Sequence, residues 1–396
     1  KHTSCNAQDT QIREWVIRMR LPRSQFFWQL LVVGILVWLG YVLASNIEAN
    51  LAKSNIVLSF DFLSGQAGFD ISESLLPVSS TSSYGSVILA GVLNTLTLAL
   101  CCIIGATVIG VLMGILRTSG HYLGERVAGF YIEITRNLPK LLILLALYLA
   151  MVTALPIVRE SWSFFGLVQI SNRAVYFPVI EQGIGLYWVI AMLAIWPAAL
   201  FILGRIARQI QERTGIRYPV IWPVSIFILA MIAVPATTGL IEYPLSWPVL
   251  KGFDFAGGGR ISVQFLVLVL ALSIYHGGQV AELVRGAVQS VPIGQFEAAR
   301  ASGLSFAQMT RLVILPQAVR AAVPSMGNQY LNITKNTSIA LAVGYSDLVS
   351  VMTTSINQTF RPIELMTVSM GVYLGICLIV SWLVNIYNAR GQMVRT

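Results

Sequence analysis

Runs without a single Asp, Glu, Lys or Arg dominate this chain: 26–44, 86–116, 141–157, 184–204, 218–241, 261–281 and 365–389. A helix that crosses a bilayer needs about 20 mostly apolar residues. In lipid every backbone N–H and C=O must be satisfied within the segment, so such runs can only be helices. The stretch 321–346 is equally apolar except for Lys335 and makes an eighth, poorer span. Composition points the same way. Only 11% of residues are charged and 56% are hydrophobic, against about 25% charged in ordinary soluble domains. So few charges cannot cover a water-facing surface of this size, and the lipid bilayer is the expected solvent.

Charge asymmetry gives the direction of the spans. With the N-terminus inside, 20 of the 26 basic residues fall in inner segments, among them Arg13, Arg117, Arg136, Lys140, Arg205, Arg285, Arg300 and Arg390. The six outer ones are Lys53, Arg159, Arg173, Lys251, Arg260 and Arg361. This is the bias that orients membrane helices, and it predicts both termini on the cytoplasmic side. It also accounts for the net charge of +9. No Lys/Arg cluster is dense enough to track phosphates, so nucleic acid is not an expected partner.

The organisation that follows is a cytoplasmic segment 1–25, a first anchor 26–45, a periplasmic loop 46–85 and a helical portion 86–157. Next come 158–260 with two helices and outer loops, a second helical portion 261–390, and a tail 391–396. The first run is long and carries Trp28 and Trp38, which suits a retained anchor better than a cleaved signal. The chain opens on Lys1, so the initiator Met and some of the tail are expected to be missing. Loop 46–85 is rich in Ser and Gly and is expected to pack over the outer face, while Gly257-Gly258-Gly259 reads as a flexible turn. Gly110 and Gly114 form a G-x-x-x-G that lets helix backbones approach closely, with packing inside the chain favoured over a subunit contact.

Intrinsic catalysis is not expected. No Gly-Lys dipeptide exists to build a phosphate-binding loop, and no G-x-S-x-G elbow occurs. His2, His121 and His276 are too scattered for a metal centre, and no C-x-x-C pair is present. No cofactor is expected on the chain, and any uphill transport must be driven from elsewhere.

The most specific signal lies in the cytoplasmic loop 291–316. Pro292 suits a first helical position, and Glu297, Ala298, Ala299 and Ala301 favour helix. Gly303 can stop that helix in a left-handed turn, Ser305 can cap a second one, and Pro316 is expected to end it. Phe306, Met309, Leu312 and Val313 give the second helix an apolar face. Such a compact pair is a good object for another protein to grip.

Glu297-Ala298-Ala299, Gly303 and Ile314-Leu315-Pro316 resemble the EAA loop of the membrane subunits of ATP-binding-cassette importers. Glu282-Leu283-Val284-Arg285-Gly286 before the loop, and Lys335-Asn336-Thr337-Ser338 after it, resemble polar amino-acid permeases of the histidine/glutamine type. So does Glu133 with Arg136-Asn137-Leu138-Pro139. The extra first span and the insert 158–260 resemble the larger permease subunit of general L-amino-acid importers.

The resemblance implies an all-α polytopic protein with about eight transmembrane helices. Five of them form a type I importer (MetI-like) core, to which one N-terminal and two inserted helices are added. It implies coupling to a separate ATPase through Glu297, Ala298, Ala299, Gly303, Leu315 and Pro316. That subunit would use ATP and Mg. The other implied partners are a second permease subunit and a periplasmic substrate-binding protein that delivers an amino acid.

Polar groups at membrane depth are costly and often functional, so Asn332, Lys335, Asn336, Thr337 and Ser338 are candidates for a substrate path. Helix–helix hydrogen bonding is the competing reading for them. Glu282 could meet an ammonium group or pair with Arg285. A secondary amino-acid transporter, or an importer subunit for another small polar solute, remains the alternative.

Overall fold

The computed structural model describes residues 23–53, 58–181, 183–216 and 218–392. The basic segment before residue 23, Arg217 and Arg395 lie outside them. The first helix, α1 (Arg23–Lys53), belongs to a unit of its own that ends at residue 62. It is exposed along 27–50 and apolar all round, as a helix meant for lipid must be.

The second unit, Leu63–Thr396, carries the other helices. They are α2 (Tyr84–Arg117), α3 (Tyr122–Asn137), α4 (Lys140–Ala154), α5 (Ile184–Thr214), α6 (Ile221–Thr237) and α7 (Val263–Gln289). After the loop helices α8 (Ile293–Ala301) and α9 (Phe306–Met309) come α10 (Leu315–Asn336), α11 (Leu348–Thr359) and α12 (Pro362–Gln392). Helices α1, α2, α5, α7 and α12 are long and apolar enough to cross a membrane.

Two further candidate spans are bent pairs rather than straight helices. Helices α3 and α4 meet at 105°, and 306–343 meets α11 at 52°, which brings the candidate spans to as many as seven. The run 141–157 therefore does not form a crossing by itself. At 15 residues, α4 is about 22 Å long, short of a hydrocarbon core of about 30 Å. Helix α6 is likewise a shorter apolar helix.

Glycine sets the closest packing. A Cβ on Gly110 would lie 2.5 Å from Val280, and one on Gly114 2.6 Å from Val284. The G-x-x-x-G is thus the seam between α2 and α7, inside the chain. Helix α3 buries Ala128, Gly129, Ile132 and Thr135, one face at helical spacing. Its Thr135 hydroxyl occupies the space where Gly278 lacks a side chain, and Tyr131 donates to the Ile274 carbonyl at 2.6 Å. Leu98, Cys102, Leu144, Leu268, Leu272 and Ile333 fill the centre.

The outer segments are more ordered than their sequence suggests. Residues 158–183 and 242–260 pair instead of forming plain loops. Strands β1 (Trp162–Phe164), β2 (Val168–Ile170) and β3 (Ala174–Phe177) join β8 (Gly259–Ser262) in one antiparallel sheet. Strands β4 (Val179–Ile180) and β5 (Leu245–Ser246) pair, as do β6 (Val249–Lys251) and β7 (Asp254–Ala256). Strands of two to four residues leave no alternation to read. The triple glycine is a tight crossing, not a flexible turn: a Cβ on Gly258 would meet the Phe177 carbonyl at 2.7 Å.

Segment 63–83 packs beside α2 and the N-terminus of α7. Asn94 of α2 donates to the Glu73 carbonyl at 2.7 Å and to the Ser346 carbonyl at 2.8 Å. The Glu73 carboxylate accepts the backbone N–H of Ser262, the N-cap residue of α7. Burial raises the pKa of this carboxyl above its ordinary value, against the opposing pull of Ser262 and Arg260.

Candidate functional site

The loop 291–316 folds into two helices joined by a turn, and short-range chemistry explains each join. Gly303 takes φ +72°. Its N–H bonds the Arg300 carbonyl, and the Leu304 N–H bonds the Ala299 carbonyl, the paired closure of a left-handed helix stop. Ser305 then caps α9 in a reciprocal box with Gln308. Pro292 is the N-cap residue of α8, one position earlier than expected.

Pro316 does not end the second helix. It lies in the first turn of α10, just after a π-turn at Thr310–Ile314. A proline has no N–H to give the carbonyl four residues back, and the wider turn absorbs that gap. The hook is therefore continuous with the transmembrane helix above it. Helices α9 and α10 form one mechanical piece.

Ala299, Met309, Ile314, Ala318 and Ala322 bury a small core against Ala287 and Val291 at the end of α7. Gln317 reaches across to Gln295 at 3.2 Å. Outward, Glu297, Ala298, Gly303, Leu315 and Pro316 are exposed, beside Ile293 (76%), Phe306 (68%) and Leu312 (62%). The hook presents apolar and charged groups together while its own core holds it rigid.

A second polar centre lies inside the membrane portion. His276 of α7 is 1% exposed. Its Nδ1 is 2.7 Å from Gln329 Nε2, its Nε2 is 3.2 Å from Asn336 Nδ2, and Gln329 Nε2 is 2.5 Å from Gln279 Oε1. Lys140, the first residue of α4, donates to Asn336 Oδ1.

The ammonium group fixes the sense of the chain of bonds. It must face an oxygen, so Asn336 offers N–H to His276 Nε2. A neutral ring then carries its proton on Nδ1, which needs an acceptor. Turning the Gln329 and Gln279 amides end for end provides one, a choice that only the network can make. Asn336 is the one residue of the expected path in this cluster.

The other path candidates are spread around it. Lys335 and Ser338 line a cleft of about 360 Å³ with Tyr373, Leu374 and Cys377. Thr337 is buried and bonds the Thr334 carbonyl, and Asn332 is exposed. Glu282 pairs with Arg285 at 2.5 Å. Lys140, His276, Gln279 and Gln329 escape a reading of the sequence that seeks clusters along the chain. The available signal is the shared helix face of positions 276 and 279, and of 329 and 336.

Comparison with known proteins agrees with this architecture. The chain is 39% identical over 371 residues to the general L-amino acid transport system permease protein AapQ of Rhizobium johnstonii, which covers 93% of this chain and 92% of that protein. It is 38% identical over 369 residues to the putative amino-acid ABC transporter permease protein YhdX of Escherichia coli, covering 92% of each. It is 34% identical over 405 residues to the glutamate/glutamine/aspartate/asparagine transport system permease protein BztB of Rhodobacter capsulatus, covering 94% and 93%. Residues 106–391, from the glycine-rich α2 through the hook to α12, match the binding-protein-dependent transport system inner membrane component family, and the chain belongs to it.

Proposed function

We propose that this chain is a permease subunit of an ATP-binding-cassette importer that takes up L-amino acids delivered by a periplasmic binding protein. A separate ATPase supplies the energy, and a second, related permease completes the pathway. The exposed, rigid hook at 291–316, continuous with α10, carries this reading. A motor that moves α8 and α9 moves a transmembrane helix with them, with no slack to lose the stroke. The contact residues are Glu297, Ala298, Ala299, Gly303, Leu315 and Pro316, with Ala299 buried behind the face that the others present. Eight spans with both termini inside fit the charge bias, counting both broken crossings and α6. Asn332, Lys335, Asn336, Thr337, Ser338 and Glu282 are the candidate polar lining of the path. The amino-acid assignment draws on the names of the relatives.

Reconstitution tests the whole reading. The chain, purified from native membranes with whatever remains bound, is placed in vesicles with ATP inside or outside. A copurifying nucleotide-binding subunit and amino-acid uptake that requires ATP are expected. Uptake driven by an ion gradient without ATP would replace this reading by a secondary transporter.

A further inference from the structure

The carboxylate of Asp347 has one oxygen more than its local role needs. Asp347 is the N-cap residue of α11, and its Oδ1 accepts the Ser350 N–H at 3.0 Å. That bond caps the helix, and Asn or Ser would make it equally well without a charge. Asp347 is 0% exposed, and its Oδ2 has no hydrogen-bond partner. It has no cation either: among the described residues the ion pairs are Arg260–Asp254, Arg285–Glu282 and Arg361–Glu364. A buried carboxylate is costly unless a positive group meets it.

A second buried group is equally unmatched. The hydroxyl of Tyr373, on α12, is buried without a partner. Thr95 of α2 and Thr337 lie beside it without an aligned hydrogen bond, and Asp347 is the carboxylate that acts on it. Both threonine hydroxyls are engaged elsewhere. Thr95 accepts the Leu348 N–H at 2.9 Å, and Thr337 donates to the Thr334 carbonyl at 2.8 Å. Tyr373 is also a wall of the cleft of about 360 Å³ that Lys335, Ser338, Leu374 and Cys377 complete. Tyr373 thus links an open cleft to an unmatched carboxylate.

We propose that Asp347 Oδ2 and the Tyr373 hydroxyl form a site for a small monovalent cation behind this cleft, and that its occupant is the ammonium group of the transported amino acid. Both oxygens accept hydrogen bonds, and the ammonium group brings the positive charge that the carboxylate lacks. Lys335, in the cleft, offers the opposite charge to the substrate carboxylate. Tyr373 turns aside to admit the group. A sodium ion is the other source of the same chemistry. This inference rests on the importer reading and adds the group by which the substrate is held.

The test uses the complete complex in nanodiscs, without binding protein. The probe is a mixture of radiolabelled L-amino acids, competed by the same mixture unlabelled or acetylated at the α-nitrogen, which keeps side chain and carboxylate but removes the ammonium charge. The wild-type complex is expected to retain label that the free amino acids displace at least tenfold better than the acetylated ones. Asp347→Asn keeps the helix cap, so the unfolding midpoint is not expected to fall while retention drops at least tenfold. Tyr373→Phe, which removes only the hydroxyl, should lower retention at least threefold.

Equal displacement by free and acetylated amino acids in sodium chloride and in choline chloride alike would overturn the site. So would undiminished retention in Asp347→Asn, or a wild type that retains no label yet transports with ATP. Loss of ATP-dependent uptake in the wild type would instead remove the importer reading itself. The two salts separate the sources: a wild type that retains label in sodium chloride but not in choline chloride, a difference absent from Asp347→Asn, assigns the site to a sodium ion.

Discussion

The hook at 291–316 and the polar centre around His276 are built on opposite plans. In the hook, Gly303 bonds back to Arg300, Leu304 to Ala299, and Ser305 and Gln308 to each other. Each join links residues no more than five positions apart. In the polar centre, Lys140 meets Asn336 from 196 positions away, and His276 meets Gln329 from 53. The hook can be rigid without the rest of the protein, whereas the polar centre exists only once α4, α7 and α10 are assembled.

The contrast can be tested by substitutions, ordered here by their effect on stability. Gly110→Leu attacks the assembly on which the polar centre depends, because even its Cβ would lie 2.5 Å from Val280. Overpacking of this kind costs about 1–3 kcal/mol or more, and little monodisperse protein is expected on gel filtration after extraction. An unchanged yield would mean that the α2–α7 seam is looser than the structure shows.

His276→Leu comes next. It takes one hydrogen-bond partner each from the Gln329 and Asn336 amides, at about 1–3 kcal/mol, and the unfolding midpoint in detergent should fall. Gln329→Leu added to it should recover part of the loss, since removing both partners is cheaper than orphaning one. Additive losses would show that the two groups do not interact.

Gly303→Val tests the hook. A β-branched residue at φ +72° costs about 1–2 kcal/mol, and it is paid locally. The protein should remain inserted with its unfolding midpoint little moved, while ATP-driven uptake falls at least tenfold. Normal uptake would detach the hook from coupling.

The smallest effect is expected at Glu73, where burial raises the pKa. The folded protein then holds this proton to higher pH than the unfolded chain does. The linked stability is present below the ordinary value of 4.5 and is lost as pH rises through the raised folded pKa. Thermal melts across that window should show a shallow decline that Glu73→Gln removes.

Much of the fold was readable because lipid imposes patterns on contiguous residues. The apolar runs appear as helices, and the inner loop holds its turn at Gly303 and its cap at Ser305. Where the reading went astray, an unforeseen turn or a distant contact was in control. Pro316 reads as a helix stop, yet a π-turn carries the chain past it. The Gly257–Gly259 stretch reads as flexible, yet Phe177 and Trp247 press on it. Lys140 bonds Asn336 of α10, a partner that no spacing along the chain announces.

By itself, then, the sequence determined which segments prefer lipid and where the two-helix hook of 291–316 lies. Each of these depends on neighbours along the chain, through transfer energies, charge and the geometry of single turns. Tertiary structure alone decided which polar side chains meet within the membrane, where two crossings break and how the outer strands pair. Those contacts join residues as far apart as 140 and 336. A buried hydrogen bond has no local trace when its donor and acceptor come from different helices.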